Sequence, residues 1–192
     1  MRSRATAWAR AIAMGAGALT GAASAEVVER IPAVVDGRPV LLSDVRLMAE
    51  VRGLPAEKAL EVVIDERLMY GEAARVPQSA VAAADEDRAM ARLFEERPEL
   101  RERVVEADLR RLVRRQLAIL KYVEFRFRPQ VRVTTEDLEK AYAAEHGGKD
   151  DAPPFTAVAP ALEERLTRKA LDERLETWVR ELRAGAEIRY NR

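Results

Sequence analysis

Apolar residues recur every three or four positions through most of this chain, and strand-like segments occur only near its two ends. One such stripe consists of Leu60, Val63, Ile64 and Leu68. This spacing marks one face of an α-helix, whereas a strand alternates with a period of two. Aromatic residues make up only 5% of the chain, and Leu, Val, Ala, Arg and Glu dominate it, which also favours helices over strands.

Glycine and proline residues divide the apolar stripes into six predicted helices. These cover residues 43–52, 55–75, 79–96, 104–127, 134–146 and 160–184, and Gly147-Gly148 is expected to end the fifth helix. Ser43, and either Thr134 or Thr135, are expected to cap their helices, because short polar side chains accept hydrogen bonds from free backbone N–H groups. Gly53 is expected to end the first helix, and Gly185 to end the last one in a left-handed conformation.

A β-hairpin is predicted near the start of the chain, where Asp36-Gly37 separates two short apolar runs. A second strand-like segment, residues 187–190, follows the last helix. Because an isolated hairpin is marginal in water, we expect this segment to return to the hairpin as a third strand. The ordered chain is expected to start at about Val27, with the first strand pairing near Ile188. The predicted fold is therefore mostly α, with a small antiparallel sheet formed by an N-terminal hairpin and a C-terminal strand.

The first 25 residues have the pattern of a cleavable secretory signal peptide. They contain three arginines and no acidic residue, an uncharged run over residues 11–19, and the small-residue triplet Ala23-Ser24-Ala25. The uncharged run is shorter than the roughly 20 apolar residues that span a bilayer. The pattern predicts a mature protein that begins at about Glu26 and resides in a bacterial periplasm. A membrane anchor or a disordered arm is the alternative.

Composition excludes several classes of function. Without the three N-terminal arginines, 30 basic and 33 acidic residues remain, so the charge is nearly balanced. A nucleic-acid-binding protein usually carries a basic patch, so no nucleic-acid partner is expected. No later stretch is apolar enough for stable membrane insertion. The chain has no cysteine, which rules out disulfides and thiol chemistry.

The sequence predicts no catalytic, cofactor-binding or metal-binding residue, and hence no cofactor. The one histidine, His146, precedes Gly147-Gly148, and Asp150-Asp151 belongs to a segment rich in Gly, Asp and Pro. Metal sites usually need several ligands at defined spacing. Most helical carboxylates are expected to form exposed ion pairs at helical spacing, namely Glu61, Asp65, Glu66, Asp85, Glu86, Asp87, Glu163 and Glu164.

Four blocks of the sequence resemble the SurA-type periplasmic chaperones. Val34-Val35-Asp36-Gly37 with residues 40–45 looks like that family's opening strand, turn and Ser-Asp helix start. Residues 60–75 are similar to its most recognisable helix. Residues 109–133, with Thr135-Glu136-Asp137-Leu138 and Tyr142, resemble its long helix and the next one. Residues 178–183 and 186–190 resemble its C-terminal helix and strand.

The resemblance implies a SurA-like helical chaperone core without the prolyl isomerase. In that family, parvulin-type domains of about a hundred residues usually separate the N-terminal part from the C-terminal helix. Here the space holds only a short loop. The implied organisation is a signal peptide at 1–25, a helical chaperone domain at 26–146, a linker at 147–157, and a C-terminal helix and strand at 158–192 that pack back on the chaperone domain.

The resemblance implies an ATP-independent holdase that binds unfolded envelope or outer-membrane proteins. Such binding needs adaptable apolar side chains in a cleft, and methionine is well suited to it. The candidate client-binding residues are Met48, Met69, Tyr70, Met90, Phe94, Tyr122, Phe125 and Phe127. The alternative for each is a place in the core. A residual isomerase activity, a dedicated docking subunit of one envelope complex, and a homodimer are the other interpretations that the sequence leaves open.

Overall fold

A computed structural model describes residues 29–147 and 152–191 of the chain. The described elements are strands β1 (Ala33–Val35) and β2 (Arg38–Val40), helices α1 (Leu42–Arg52), α2 (Ala56–Ala73), α3 (Ala83–Glu96), α4 (Leu100–Arg103), α5 (Glu106–Arg126), α6 (Thr135–His146) and α7 (Phe155–Gly185), and strand β3 (Ile188–Tyr190). The predicted mostly helical fold with a small antiparallel sheet is confirmed. The predicted signal peptide, a strand start near Val27 and the Asp150-Asp151 pair lie outside the described residues.

The hairpin between β1 and β2 turns at Asp36-Gly37, as the sequence predicts. Both residues have positive φ, 48° at Asp36 and 74° at Gly37. Two consecutive positive φ angles form the mirror-image turn whose twist matches that of the flanking strands. The turn sets the register, in which Val35 lies opposite Arg38 and Ala33 opposite Val40.

Strand β3 returns to the hairpin from the far end of the chain, as predicted. The sheet order is β2-β1-β3 with both pairings antiparallel, and Val35 lies opposite Ile188. Asp36 completes the junction, because its backbone N–H donates to the carbonyl of Glu187 at 2.9 Å and its carboxylate accepts from the N–H of Glu187 at 2.8 Å. The sheet therefore joins the N-terminal hairpin to α7.

Three predicted helix ends are confirmed. Helix α1 ends at Gly53, whose φ of 64° is left-handed. Thr134 caps α6, since its hydroxyl accepts from the backbone N–H of Asp137 and the Asp137 carboxylate accepts from the N–H of Thr134. Helix α6 stops at His146, directly before Gly147.

Two predicted caps are wrong. Helix α1 begins at Leu42, so Ser43 lies inside its first turn, and the N–H of Ser43 donates instead to the Glu29 carboxylate at 3.0 Å. Gly185 is still helical, and Ala186 follows in an extended conformation with φ of −97°. The chain continues straight from α7 into β3, so no left-handed turn is needed there.

Two helix starts also differ from the prediction. A 3-10 turn over Pro77–Ser79 precedes α3, which therefore begins at Ala83 instead of Ser79. Helix α7 begins at Phe155, inside the predicted linker, and continues through Pro160. Proline lacks a backbone N–H, so Pro160 cannot donate the usual hydrogen bond inside the helix. The 31 residues of α7 make it longer than predicted.

The core consists of two buried clusters that share helix α5. The larger one joins the sheet, α1, α2 and α5 through Ala33, Val35, Val40, Val45, Met48, Ala59, Val63, Ile64, Leu68 and Leu112. The smaller one joins α3 to α5 through Met90, Leu109 and Val113. Helix α6 buries none of its residues and packs along α7. Within the described ranges, no helix combines the length and the apolar character needed to cross a membrane.

Candidate functional site

An open cleft of about 510 Å³ lies where α1, α2, α5 and α7 meet. Helix α1 contributes Met48 and Arg52 to the lining. Helix α2 contributes the face that carries Val62, Asp65, Glu66 and Met69. The remaining lining residues are Gln116, Ile119, Leu120, Val123, Glu124, Arg168, Leu171, Asp172, Leu175 and Val179. The arrangement follows from the helix periods, because residues three and four apart share one face of a helix.

The floor and walls of the cleft are mainly apolar. Met48 and Ile119 are buried, whereas Met69 and Val123 are half-buried. Leu120 is 56% exposed, which is unusual for a leucine in an apolar stripe. The α5 stripe thus continues along the helix beyond the point at which the core covers it, and the uncovered part faces the cleft.

The rim of the cleft carries exposed charges of both signs. Arg52, Glu124, Arg168 and Asp172 all lie there and are exposed. Arg168 pairs with Glu164 on its own helix at 2.7 Å. An apolar floor inside a charged rim is the usual anatomy of a surface that binds a partner while staying soluble.

A buried ion-pair network lies beside the cleft, and its member Glu66 lines the cleft. Glu66 on α2 accepts a hydrogen bond from Nε of Arg115 on α5, and both side chains are largely buried. Asp44 on α1 lies 3.9 Å from Arg115 and accepts a hydrogen bond from Arg67 at 2.5 Å. Burial raises the pKa of the Glu66 carboxyl above its ordinary value, although the Arg115 guanidinium acts in the opposite direction. The network ties three helices together beside the cleft.

Helix α7 is held against the cleft by a polar clamp near its C-terminal end. Arg183 donates to the carboxylates of Asp65 at 2.5 Å and Glu61 at 2.9 Å, and also to the backbone carbonyl of Glu61. These hydrogen bonds raise the pKa of Arg183, and the one to Asp65 has the largest effect. The guanidinium therefore stays charged. Asp65 is therefore engaged with α7 even though it lines the cleft.

An aromatic cluster holds the same helix against the end of α5. The Trp178 ring stacks on Tyr122 with centroids 5.1 Å apart, and Phe127 lies 5.2 Å from Trp178. Trp178 and Phe127 are both buried. Aromatic pairs of this geometry add to the free energy of simple apolar burial. The wall that α7 provides is thus fixed independently of any occupant.

The structure brings two of the eight candidate client-binding residues into the cleft, Met48 and Met69. Met90 and Phe94 pack instead in the smaller core cluster, and the Arg101 guanidinium lies 4.3 Å above the Phe94 ring. For these two residues, the structure agrees with the alternative prediction of a place in the core.

The other four candidates are distributed elsewhere. Tyr122 and Phe127 belong to the aromatic cluster. Tyr70 is half-buried beside the hairpin, and Phe125 is 50% exposed on α5 without lining the cleft. The candidates therefore do not form one surface, and only Met48 and Met69 share the cleft.

Four further apolar residues line the cleft and are not among the candidates predicted from the sequence, namely Leu120, Val123, Leu175 and Val179. Their exposure depends on where neighbouring helices stop covering them, which a stripe does not reveal. The prediction of exposed ion pairs at helical spacing is wrong for Glu66 and Glu86. Both carboxylates are buried, and both pair with arginines on another helix. Their positions offered a clue, since Glu66 lies three residues after buried Val63 and Glu86 four before buried Met90.

The structure also bears on metal binding and on the one histidine, His146. Within residues 29–147 and 152–191, no three His, Cys, Asp or Glu side chains form a cluster that can hold a metal ion. The His146 ring packs beside Tyr142 with centroids 5.1 Å apart.

Compared with known proteins, the chain matches no protein-family model and no curated protein. The resemblance to SurA-type chaperones accordingly rests on the sequence blocks described above.

Proposed function

We propose that this protein is an ATP-independent periplasmic holdase, which binds unfolded segments of outer-membrane or other envelope proteins in the apolar cleft. The observation that carries the proposal is the open cleft itself, with Met48 and Met69 in its lining and Leu120 exposed at its edge. The sequence resemblance to SurA-type chaperones is consistent with the same function.

The physical basis of binding is reversible burial of apolar client side chains, without covalent chemistry. Each large side chain that leaves water contributes about 1.5–3 kcal/mol. A small cleft accommodates few of them, and the ordering of an unfolded segment opposes binding, so affinity is expected to be modest. Modest affinity suits a carrier that must release its cargo. The flexible side chain of half-buried Met69 lets one cleft fit different segments.

Residence in the periplasm rests on the N-terminal sequence pattern. Export is expected to remove the first 25 residues, so the protein recovered from the periplasm should begin at Glu26. Intact-mass measurement of protein from that compartment tests this. A chain that keeps residues 1–25 or stays in the cytoplasm would contradict the proposed location.

The cleft can be tested with two matched substitutions on α5. Leu120 and Phe125 are exposed to a similar degree, 56% and 50%, but only Leu120 lines the cleft. In Leu120→Asp and Phe125→Asp, each side chain is already half in water, so neither change should unfold the protein. The assay follows light scattering after an unfolded porin is diluted out of urea, with and without the purified protein.

We expect the wild-type protein and Phe125→Asp to slow porin aggregation, and Leu120→Asp to lose most of that effect. A charge in the cleft must be desolvated when an apolar segment binds, which opposes binding. A wild-type protein without any effect on aggregation would refute the holdase. Loss of activity in Phe125→Asp instead of Leu120→Asp would refute the cleft as the binding surface. Recovery of one stoichiometric partner from periplasm would indicate a dedicated docking subunit.

A further inference from the structure

One oxygen of the buried Glu66 carboxylate has no hydrogen-bond partner. Arg115 donates to Oε1, whereas Oε2 is buried and contacts no donor among the described residues. Buried polar groups in folded proteins nearly always have a partner, so each exception calls for an explanation. Two other buried side-chain atoms also lack partners, Nε of Arg67 and Oγ of Ser79. Of these three residues, only Glu66 lines the apolar cleft.

The charge around Glu66 is already balanced. Two carboxylates, Asp44 and Glu66, face two guanidiniums, Arg67 and Arg115. The neighbouring Asp65 is engaged by Arg183. An ammonium or guanidinium that entered the cleft would leave water without meeting an uncompensated negative charge, which is unfavourable. A neutral donor can satisfy Oε2 without disturbing this balance.

The spacing along α2 places Glu66 among apolar cleft residues. Val62 lies four residues before it and Met69 three residues after it, and all three line the cleft. Because Oε2 is buried, a donor reaches it only when a neighbouring side chain moves. Met69 is half-buried, and its unbranched thioether changes conformation easily. Along α2, the unpartnered acceptor is thus flanked by two apolar side chains that line the same cleft.

We propose that Oε2 of Glu66 is a specificity determinant of the cleft, which accepts a hydrogen bond from the hydroxyl of a tyrosine in the bound segment. A tyrosine ring supplies apolar area to the cleft and one neutral donor at its tip, which matches an unpartnered acceptor between the apolar side chains of Val62 and Met69. A phenylalanine at the same place would leave the acceptor unpaired. The inference rests on the proposed function, because it assumes that client segments bind in this cleft.

The test compares fluorescently labelled peptides that differ at one position, by fluorescence anisotropy with the purified full-length protein. The position holds tyrosine, phenylalanine, O-methyltyrosine or lysine within an otherwise constant apolar segment. We expect the tyrosine peptide to bind about tenfold more tightly than the other three, since only its hydroxyl can donate to a charged acceptor without adding charge. Glu66→Gln should reduce this preference, because an amide turned toward the cleft can present its NH₂ group instead. The wild-type comparison does not depend on whether that variant folds.

The outcomes separate this inference from the proposed function. If Leu120→Asp weakens binding of the tyrosine and phenylalanine peptides, and the wild-type protein binds them equally, the cleft binds segments and the role of Glu66 is refuted. Tighter binding of the lysine peptide than of the tyrosine peptide would also refute it. If no peptide binds, or Leu120→Asp has no effect, the proposed binding cleft fails and the inference fails with it.

Discussion

Replacing Arg115 with methionine tests whether the buried carboxylate of Glu66 depends on a single partner. The Glu66 side chain is 5% exposed and that of Arg115 is 14% exposed, so water replaces the lost hydrogen bond poorly. Removing one member of a buried ion pair costs about 3–5 kcal/mol, because the other charge remains buried. Since Arg115 retains some contact with water, we expect Arg115→Met to lower the free energy of unfolding by about 3 kcal/mol, the lower end of this range.

The assay is urea unfolding followed by circular dichroism. With a denaturant dependence of about 2 kcal/mol per molar urea, Arg115→Met should lower the unfolding midpoint by about 1.5 M. The matched control is the double variant Glu66→Met with Arg115→Met, which replaces both charges by apolar side chains of similar length. Such a replacement is often neutral or stabilising, so the double variant should unfold close to the wild-type midpoint.

The loss of unfolding free energy in Arg115→Met should also depend on pH. Arg115 is the chief group that lowers the pKa of Glu66, so its removal lets burial raise that pKa further. A carboxyl whose folded pKa exceeds its ordinary value of 4.5 destabilises the protein above the folded pKa, and the destabilisation fades as pH falls toward 4.5. The deficit should therefore be larger at about pH 8 than at about pH 5.5. An equal deficit at both pH values, or a double variant no more stable than Arg115→Met, would refute this reasoning.

Three further predictions concern other parts of the fold. Trp178→Ala should cost about 3–5 kcal/mol in thermal unfolding, because the ring is buried in the aromatic cluster; a smaller loss than in Arg115→Met would contradict a major role for this cluster. Thr134→Ala should cost about 1 kcal/mol locally, seen as faster amide exchange in the first turn of α6. Since α6 has no buried residue, a large fall in the global midpoint would be unexpected. The Arg114 hydrogen bond, with that from Arg110, lowers the pKa of Glu86 below 4.5, so its stabilisation is present above pH 4.5 and is lost as pH falls through the folded pKa. Glu86→Gln should make stability less dependent on pH in that acidic range, and an unchanged acid-unfolding curve would count against it.

Part of the candidate site could be predicted from the sequence. Met48 and Met69 were selected because methionine suits an adaptable apolar surface, and both line the cleft, although Met48 is 1% exposed and also belongs to the larger core cluster. The same argument also selected Met90, which the smaller core cluster buries. A flexible apolar side chain serves a core and a cleft equally well, so residue type alone does not distinguish the two.

Glu66 shows why charge patterns are hard to interpret from sequence. Arg67 directly follows it in the sequence, but no arginine lies three or four residues away on the same helix. Its actual partner is Arg115, 49 residues away on another helix. Only the packing of α2 against α5 brings the two together, so their pairing, burial and raised Glu66 pKa all depend on tertiary structure.

The hairpin turn and the cap of α6 depend on local geometry, so both are predictable from the sequence. The positive φ angles of Asp36-Gly37 follow from the small set of two-residue turns compatible with a hairpin. Helix α6 begins directly after Thr134, because the side chains of Thr134 and Asp137 each accept a hydrogen bond from the other residue's backbone N–H. The return of β3 was also predictable, since a hairpin needs a further strand to be stable.

How far neighbouring helices cover an apolar stripe depends on tertiary packing. The stripe of α5 is continuous in sequence, yet Leu112 is buried in the core whereas Leu120 is exposed in the cleft. The difference depends on how far α1 and α2 extend along α5, and on where Trp178 and Arg183 hold α7. Helical periodicity specifies which residues share a face. It carries no information on how much of that face a neighbour covers, because coverage depends on contacts between residues far apart in the chain.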